Sequence, residues 1–284
     1  VLDRANTTPV SAASLEAFIV SLPAVGLSEC GETGERRFDR KFVVPVSALD
    51  QLAQALDSAG RDWQSWQVLE VEGQRTVEYH TVYFDAPELQ LYRDHLQGRR
   101  RRFKIRTRRY STGSHMLEIK LKGIRGQTEK LRRERGTDAR YDQLDADEIG
   151  WLGDALQAAL AKPAPQGLAA SAQTRYSRTC LVGPDGERLT IDRDFAVAPA
   201  GRAASAAADL VCPDMAIVEC KSPRLASNTE RLLRGIARRP DRLSKYAVAL
   251  ALTQDVHSNP WYPALRRLNV LPLVNERFNR FAHD

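Results

Sequence analysis

Between Arg99 and Lys122 the chain reads RRRRFKIRTRRYSTGSHMLEIKLK, and it alternates. Arg102, Lys104, Arg106, Arg108 and Tyr110 share one parity, opposite Phe103, Ile105 and Thr107. After a Ser-Thr-Gly-Ser turn, Met116, Glu118, Lys120 and Lys122 alternate with Leu117, Ile119 and Leu121. Strand side chains point to opposite faces with period two, so this stretch predicts a hairpin with one apolar and one polar face. The polar face is almost uniformly cationic. Like charges side by side repel, and a neutral face would be more stable. A multiply charged anion is the natural partner.

The rest of the chain repeats the pattern in weaker form. ERRFDRKFVVP places Asp39 and Lys41 on one face of a strand, opposite Phe38, Phe42 and Val44, and Pro45 ends it. Ser47 and Asp50 have the spacing of a capping box, and SALDQLAQALDSAG predicts an amphipathic helix closed by Gly60. RTVEYHTVYFD (75–85) reads as a strand, and PELQLYRDHLQG as a short helix or turn. QTEKLRRER carries Lys130, Arg132 and Arg133 onto a third strand of the basic surface. A helix over 145–161 presents Ile149, Leu152, Leu156 and Leu160 as its stripe. TRYSRTCLV and ERLTIDRDF flank Gly-Pro-Asp-Gly and predict a hairpin with Arg178, Arg188 and Asp192 at polar positions. The stretch 198–212 has no period and reads as a loop. MAIVECKSP is a short strand with Glu219 and Lys221 at one parity, followed by helices over about 225–238 and 243–253. Trp261, Phe278 and Phe281 in the tail are expected to pack outside the sheet.

Residues 1–34 read as a flexible lead-in with at most one short helix, and 35–284 as one domain. About eight mainly antiparallel strands with interspersed helices give an α+β chain. A sheet that hides a charged face must curl, and closing it into a barrel removes its edges. The expected result is an eight-stranded antiparallel β-barrel, a polar-lined tunnel with helices packed outside.

Composition sets wider limits. A net charge of +6 over 284 residues favours phosphate-bearing partners, and the local clustering is sharper than the total. Cys30, Cys180, Cys212 and Cys220 lack C-x-x-C spacing, which argues against a zinc ribbon or a disulfide framework and suits a reducing cytoplasm. No run approaches a membrane span, and Leu15 to Leu27, interrupted by Glu16 and Pro23, does not read as a signal peptide. The five histidines show no ligand spacing. Walker A, G-x-G-x-x-G and G-x-S-x-G sequences are missing.

Nine short motifs in order carry a family resemblance: D-R-K-F (39–42), V-Y-F-D (82–85), K-I-R-T-R-R-Y (104–110), L-E-I-K (117–120), E-K-L-R (129–132), R-Y-S-R-T (175–179), L-T-I-D (189–192), V-E-C-K (218–221) and S-K-Y (244–246). Together they resemble the VTC domain, the polyphosphate-polymerase branch of the CYTH-like triphosphate tunnel metalloenzymes. The resemblance implies a tunnel that binds ATP or another triphosphate, or inorganic polyphosphate, with a divalent metal, Mn²⁺ or Mg²⁺. It implies catalytic roles for Lys41, Arg106, Arg108, Lys120, Lys130 and Lys245. Arg178, Arg188, Lys221, Ser244, Tyr83 and Lys104 would bind substrate, with Ser244 and Lys245 closing one end of the tunnel. Glu219 would hold the metal, with Glu118 or Asp192 as further ligands. Asp39 departs from the family, whose tunnel enzymes usually carry Glu there.

Arginines at alternate strand positions offer forked donors about 6.5–7 Å apart, and lysines add point charges between them. Phosphoryl transfer needs in-line positioning and charge neutralisation more than covalent help. The expected function is a metal-dependent polyphosphate polymerase that transfers the γ-phosphate of ATP to a growing chain. The alternatives are a triphosphatase or polyphosphatase of the same fold releasing pyrophosphate or orthophosphate, and a non-catalytic binder of polyphosphate or RNA. Specific nucleic-acid recognition is not expected, since the basic strands carry few stacking aromatics. A membrane-protein partner holding the chain at the inner face of a membrane is left open.

Overall fold

The computed structural model describes residues 14–30, 38–60, 66–122, 128–183, 186–200 and 210–271. The strands are β1 (Ala24–Val25), β2 (Phe38–Pro45), β3 (Gln67–Leu69), β4 (Thr76–Asp85), β5 (Phe103–Tyr110), β6 (His115–Lys122), β7 (Thr128–Glu134), β8 (Ala169–Val182), β9 (Arg188–Pro199), β10 (Leu210–Cys212) and β11 (Met215–Ser222). Eight of them pair in the order β2-β11-β9-β8-β4-β5-β6-β7, and every ladder along that path is antiparallel. Strands β1, β3 and β10 are short additions at its margin. The helices are α1 (Leu15–Ser21), α2 (Leu49–Gly60), α3 (Gln90–Leu96), α4 (Ala146–Leu160), α5 (Asn228–Ala237), α6 (Lys245–Thr253) and α7 (Tyr262–Arg267).

The sheet curls without closing. Among the described residues no ladder joins β2 to β7, so the expected closed barrel is an open sheet. In a flat sheet six strand spacings would put β2 about 28 Å from β6. Lys41 on β2 nevertheless acts electrostatically on Lys104 of β5 and Lys120 of β6, which requires the sheet to bend until these strands face each other. The turn before α6 straps the bend. The Asp241 N–H donates to the Lys41 carbonyl at 2.6 Å, and the Asp241 carboxylate accepts from the Val43 N–H at 3.0 Å. Three residues later the Ser244 Oγ accepts from the Lys104 Nζ at 2.7 Å. The Lys41 carbonyl and the Val43 N–H on the free edge of β2 are thus satisfied by a loop instead of a strand.

Parity decides what each face buries. The convex side of β4, β5 and β6 buries Val82, Phe84, Phe103, Ile105, Leu117, Ile119 and Leu121 against Leu152, Leu156 and Leu160 of α4. Helix α4 starts with a capping box: the Asp145 carboxylate accepts from the Glu148 N–H at 2.7 Å, and Glu148 accepts from the Asp145 N–H at 3.1 Å. Its stripe begins at Glu148, spaced by four from Leu152, so Ile149 is exposed, contrary to the expected stripe. Glu148 is buried and receives the Arg135 guanidinium.

The convex side of β2, β11 and β9 packs against α1, α2 and α5 in a second cluster. The one short helix expected in the lead-in is α1, whose Leu15, Phe18 and Ile19 are buried there. Residues 1–13 and 31–34 lie outside the described set. The Ser47–Asp50 capping box does not form. A 3₁₀ turn over Val46–Ala48 precedes α2, and Asp50 instead accepts from the Leu15 N–H at 2.9 Å, binding α1 to α2.

Helix α6 is apolar all round and buried from Tyr246 to Leu252, as a helix without a solvent face must be. It packs with α7 against Val43, Tyr83, Tyr176, Phe195 and Ile217. Val43, Tyr83 and Ile217 share the parity of the basic residues, so α6 fills one end of the concave side. Trp261 is in this cluster, not outside the sheet as expected; Phe278 and Phe281 lie outside the described residues. The expected loop over 198–212 is partly strand: β9 runs to Pro199 and β10 pairs back on it, with 201–209 outside the described residues.

Candidate functional site: a cation-lined concave face

The registers build the site row by row. Across β5, β6 and β7, Lys104, Lys120 and Lys130 are direct neighbours; the next row is Arg106, Glu118 and Arg132, and the next Arg108, Met116 and Glu134. On the other flank Tyr83 lies opposite Arg106, Arg178 opposite Asp192, and Glu219 of β11 between Lys41 of β2 and Thr190 of β9. Lys221 pairs with Arg188 on one side and Asp39 on the other. The predicted positions therefore share one face, and α6 brings Ser244 and Lys245 to it. Arg133 is the exception on β7: it sits opposite Leu117 and pairs with Asp147 at the start of α4.

Glu118 has no solvent exposure. Its Oε2 receives Arg106 at 2.6 Å and lies 3.5 Å from Arg108; its Oε1 lies 3.1 Å from Lys130 and 3.3 Å from Arg132. Burial alone would raise the pKa of this carboxyl. Arg106, Arg108 and Lys130 outweigh burial and hold it far below the usual carboxylate range. Asp192 is held in the same way. Burial opposes its charge, but Arg178 donates to both oxygens at 2.5 and 2.8 Å and Lys245 binds one of them, and its pKa is lowered.

Glu219 differs. Its nearest cations are Lys41 at 3.4 Å and Lys221 at 3.8 Å, longer than a charge-assisted hydrogen bond. Against burial, Lys221, Lys41 and Lys120 still lower its pKa well below the ordinary value. Glu219 raises the pKa of Lys41 in return.

The donor set bears on a metal. Among the described residues no group of three or more His, Cys, Asp or Glu side chains could hold one. Both oxygens of Glu118 and both of Asp192 already face cations, so a metal there would have to displace an arginine or lysine. That disagrees with the expected ligand roles of these two residues. Glu219, loosely paired and buried, fits a hard cation whose remaining ligands are phosphate oxygens and water, the usual arrangement for Mg²⁺.

Tyrosines form a platform that the sequence reading missed. Tyr79 stacks on Tyr176 at 5.1 Å and meets Tyr110 edge-on at 4.8 Å. The Arg178 guanidinium lies 4.9 Å from the Tyr79 ring and 5.2 Å from Tyr176; Arg108 lies 5.1 Å from Tyr79 and Lys245 4.5 Å from Tyr176. Burial pushes the Tyr79 hydroxyl up to about 12. Parity was the available signal, since Tyr79 lies four residues before Tyr83 on β4. His95, assigned nothing from spacing, lies 3.3 Å from the Lys104 amine and stacks on Trp261 at 5.1 Å.

Such a face, with buried carboxylates each outnumbered by arginines and lysines, is electrostatically complementary to a polyanion. The model of the VTC domain matches residues 36–254, and the chain belongs to that family. Among solved structures, the chain is similar to a Hippeastrum protein described as a putative adenylyl cyclase with a dominant triphosphatase activity (16% identity, TM-score 0.43, 78% of this chain and 100% of that one). It is also similar to a putative adenylate cyclase from Vibrio parahaemolyticus (11% identity, TM-score 0.41, 75% and 96%) and to the PH1819 protein of Pyrococcus horikoshii (14%, TM-score 0.37, 74% and 96%). No curated protein sequence matches the chain. No described helix is long and apolar enough to cross a membrane.

Proposed function

We propose that the chain binds a linear phosphate chain along its concave face and transfers the γ-phosphoryl group of ATP to the end of that chain, as a polyphosphate polymerase. One observation carries this reading: the cations of β2, β5, β6, β7, β8 and β11 line a single curled face, with Lys245 of α6 at its end. Arg106, Arg108 and Arg178 are each held by a carboxylate or a tyrosine ring, which fixes their forks for equatorial phosphate oxygens. Lys41, Lys120, Lys130 and Lys245 add point charges where charge develops. Arg188, Lys221, Ser244, Tyr83 and Lys104 extend the contact along the substrate.

Glu219 would hold the divalent cation, Mn²⁺ or Mg²⁺, which supplies Lewis-acid charge to phosphate oxygens when bound. The chain's own residues do the rest by orientation and neutralisation. Incubation of the purified protein with ATP and Mn²⁺, with phosphorus NMR of the products, tests the proposal. Growing chains support it. Orthophosphate release without chains assigns the same face to a triphosphatase, and binding without turnover overturns catalysis altogether.

A further inference from the structure

Lys104 is a partly buried inner-face lysine with no carboxylate among its leading electrostatic neighbours. Among the described residues Lys120 and Lys122 also lack an ion pair, but Glu219 acts on the first and Asp39 on the second. Arg106, Lys130 and Arg132 face Glu118; Arg178 and Lys245 face Asp192; Lys41 and Lys221 face Glu219. The partners of the Lys104 nitrogen are neutral: Ser244 Oγ at 2.7 Å and His95 Nε2 at 3.3 Å. The charged groups that act on it most strongly are Lys120 from β6, Lys41 from β2, Arg106 on its own strand and Arg102 just before that strand, all cations. His95, from α3, is surrounded in the same way by Lys104, Arg102, Arg242 and Lys41.

A neutral amine suits these contacts. It can donate one N–H to Ser244 Oγ and, with the His95 tautomer that carries its proton on Nε2, turn its lone pair to that N–H, needing no counter-ion. Burial, followed by the charges of Lys120 and Lys41, lowers the Lys104 pKa well below the ordinary lysine value, and burial pushes His95 down to about 2.

We propose that Lys104 is an uncharged amine in the unliganded protein and takes up a proton when a phosphate chain enters, making polyanion binding at this end of the face proton-coupled. The lone pair of Nζ forms the new N–H bond with a proton drawn from solvent. The resulting ammonium donates to a phosphate oxygen, which supplies the negative charge that the protein withholds at this position. Ser244 keeps Lys104 at the end where α6 begins, so the proton is taken up where the phosphate chain meets that helix. Binding that takes up a proton weakens as pH rises, by up to about tenfold per pH unit for each proton. The inference rests on the phosphate-binding reading of the face and adds a role that the fixed charges of arginine cannot perform.

Calorimetric titration with inorganic tripolyphosphate, in two buffers of different ionisation enthalpy, counts the protons. Protons exchanged by the ligand itself are common to wild type and variants, so at about pH 8.5 the difference between them counts the Lys104 proton. The wild type is expected to take up about one proton more than Lys104→Arg or Lys104→Met, one per amine removed from titration. Lys104→Arg should also bind more tightly than wild type at high pH, whereas Lys104→Met should bind more weakly at low pH. Equal proton uptake in wild type and both variants, with tripolyphosphate still bound, overturns the inference and leaves the phosphate reading intact. Failure of folded wild-type protein to bind tripolyphosphate at any pH overturns both.

Discussion

Asp192 on β9 holds Arg178 on β8 through two guanidinium nitrogens, Nε at 2.5 Å and Nη2 at 2.8 Å, and the same carboxylate binds Lys245 at the start of α6. The pair is cross-strand, so sheet register makes it, and the lysine then pins a helix to the concave face. Tyr79 and Tyr176 cover the guanidinium from the side. Arg178 therefore points to a fixed place before any anion arrives, and the cost of orienting it is met during folding.

Asp192→Asn should leave two partly buried cations without their counter-charge. Removing one partner of such a cluster costs about 3–5 kcal/mol. Urea denaturation should show this loss near neutral pH. Because the Asp192 pKa is lowered in the folded protein, its contribution is present above the unfolded carboxyl value and fades as pH falls. A variant as stable as wild type at pH 7 would contradict the role of the pair.

Glu118→Gln should act differently on the empty and the occupied protein. Four cations lose their shared carboxylate, so the unliganded protein should melt lower. An incoming phosphate replaces the missing charge, so tripolyphosphate should raise the melting temperature of this variant more than that of wild type. Equal ligand shifts in thermal scanning would show that the Glu118 cluster does not share space with the anion.

Much of this face was legible because a strand has one invariant, its period of two. Phe103, Ile105, Leu117 and Ile119 fix which way β5 and β6 turn, and the cations follow by elimination. Parity places Lys41, Glu219 and Lys221 on that face for the same reason. It says nothing of how far a sheet curls or whether its ends pair, and the expected closure was replaced by an Asp241 strap 198 residues from Val43. The packing of α1 was hidden because seven residues with one buried stripe resemble a loose end until Asp50 caps them. Tyr79 was overlooked because a tyrosine on a half-buried strand has many uses, and only the fold brings Arg108 and Arg178 to its ring.

Glu219→Gln tests the metal reading. Loss of a ligand should remove several kcal/mol of charge stabilisation, lowering Mn²⁺-supported turnover by on the order of 100-fold. Metal-free tripolyphosphate affinity should rise, since Lys41 and Lys221 lose an opposing charge. Unchanged turnover with an unchanged Mn²⁺ requirement would remove Glu219 from the metal site.

Gly183→Ala is a test remote from the basic face. A Cβ there would come within 2.5 Å of the Trp66 ring, which is buried in the convex-side cluster. Overpacking of this kind costs about 1–3 kcal/mol. The melting temperature should drop while tripolyphosphate affinity stays at the wild-type value, and a parallel loss of affinity would show that the convex core controls the site.

Lys120 and Lys130 give opposite pH trends for stability and binding. Burial, with Lys41 acting on Lys120 and Arg106 on both, lowers each to about 7. In the unfolded chain they titrate near ~10.4, so between about pH 7 and 9 the unfolded state carries protons that the folded state has released. Stability of the unliganded protein should therefore rise across that window. Anion affinity should fall across it, because the site loses positive charge unless the ligand draws the protons back. Melting temperatures with and without tripolyphosphate, taken at half-unit steps of pH, should converge as pH rises. Parallel curves would mean that both lysines stay charged throughout, and that the Glu118 and Glu219 carboxylates hold them more firmly than burial loosens them.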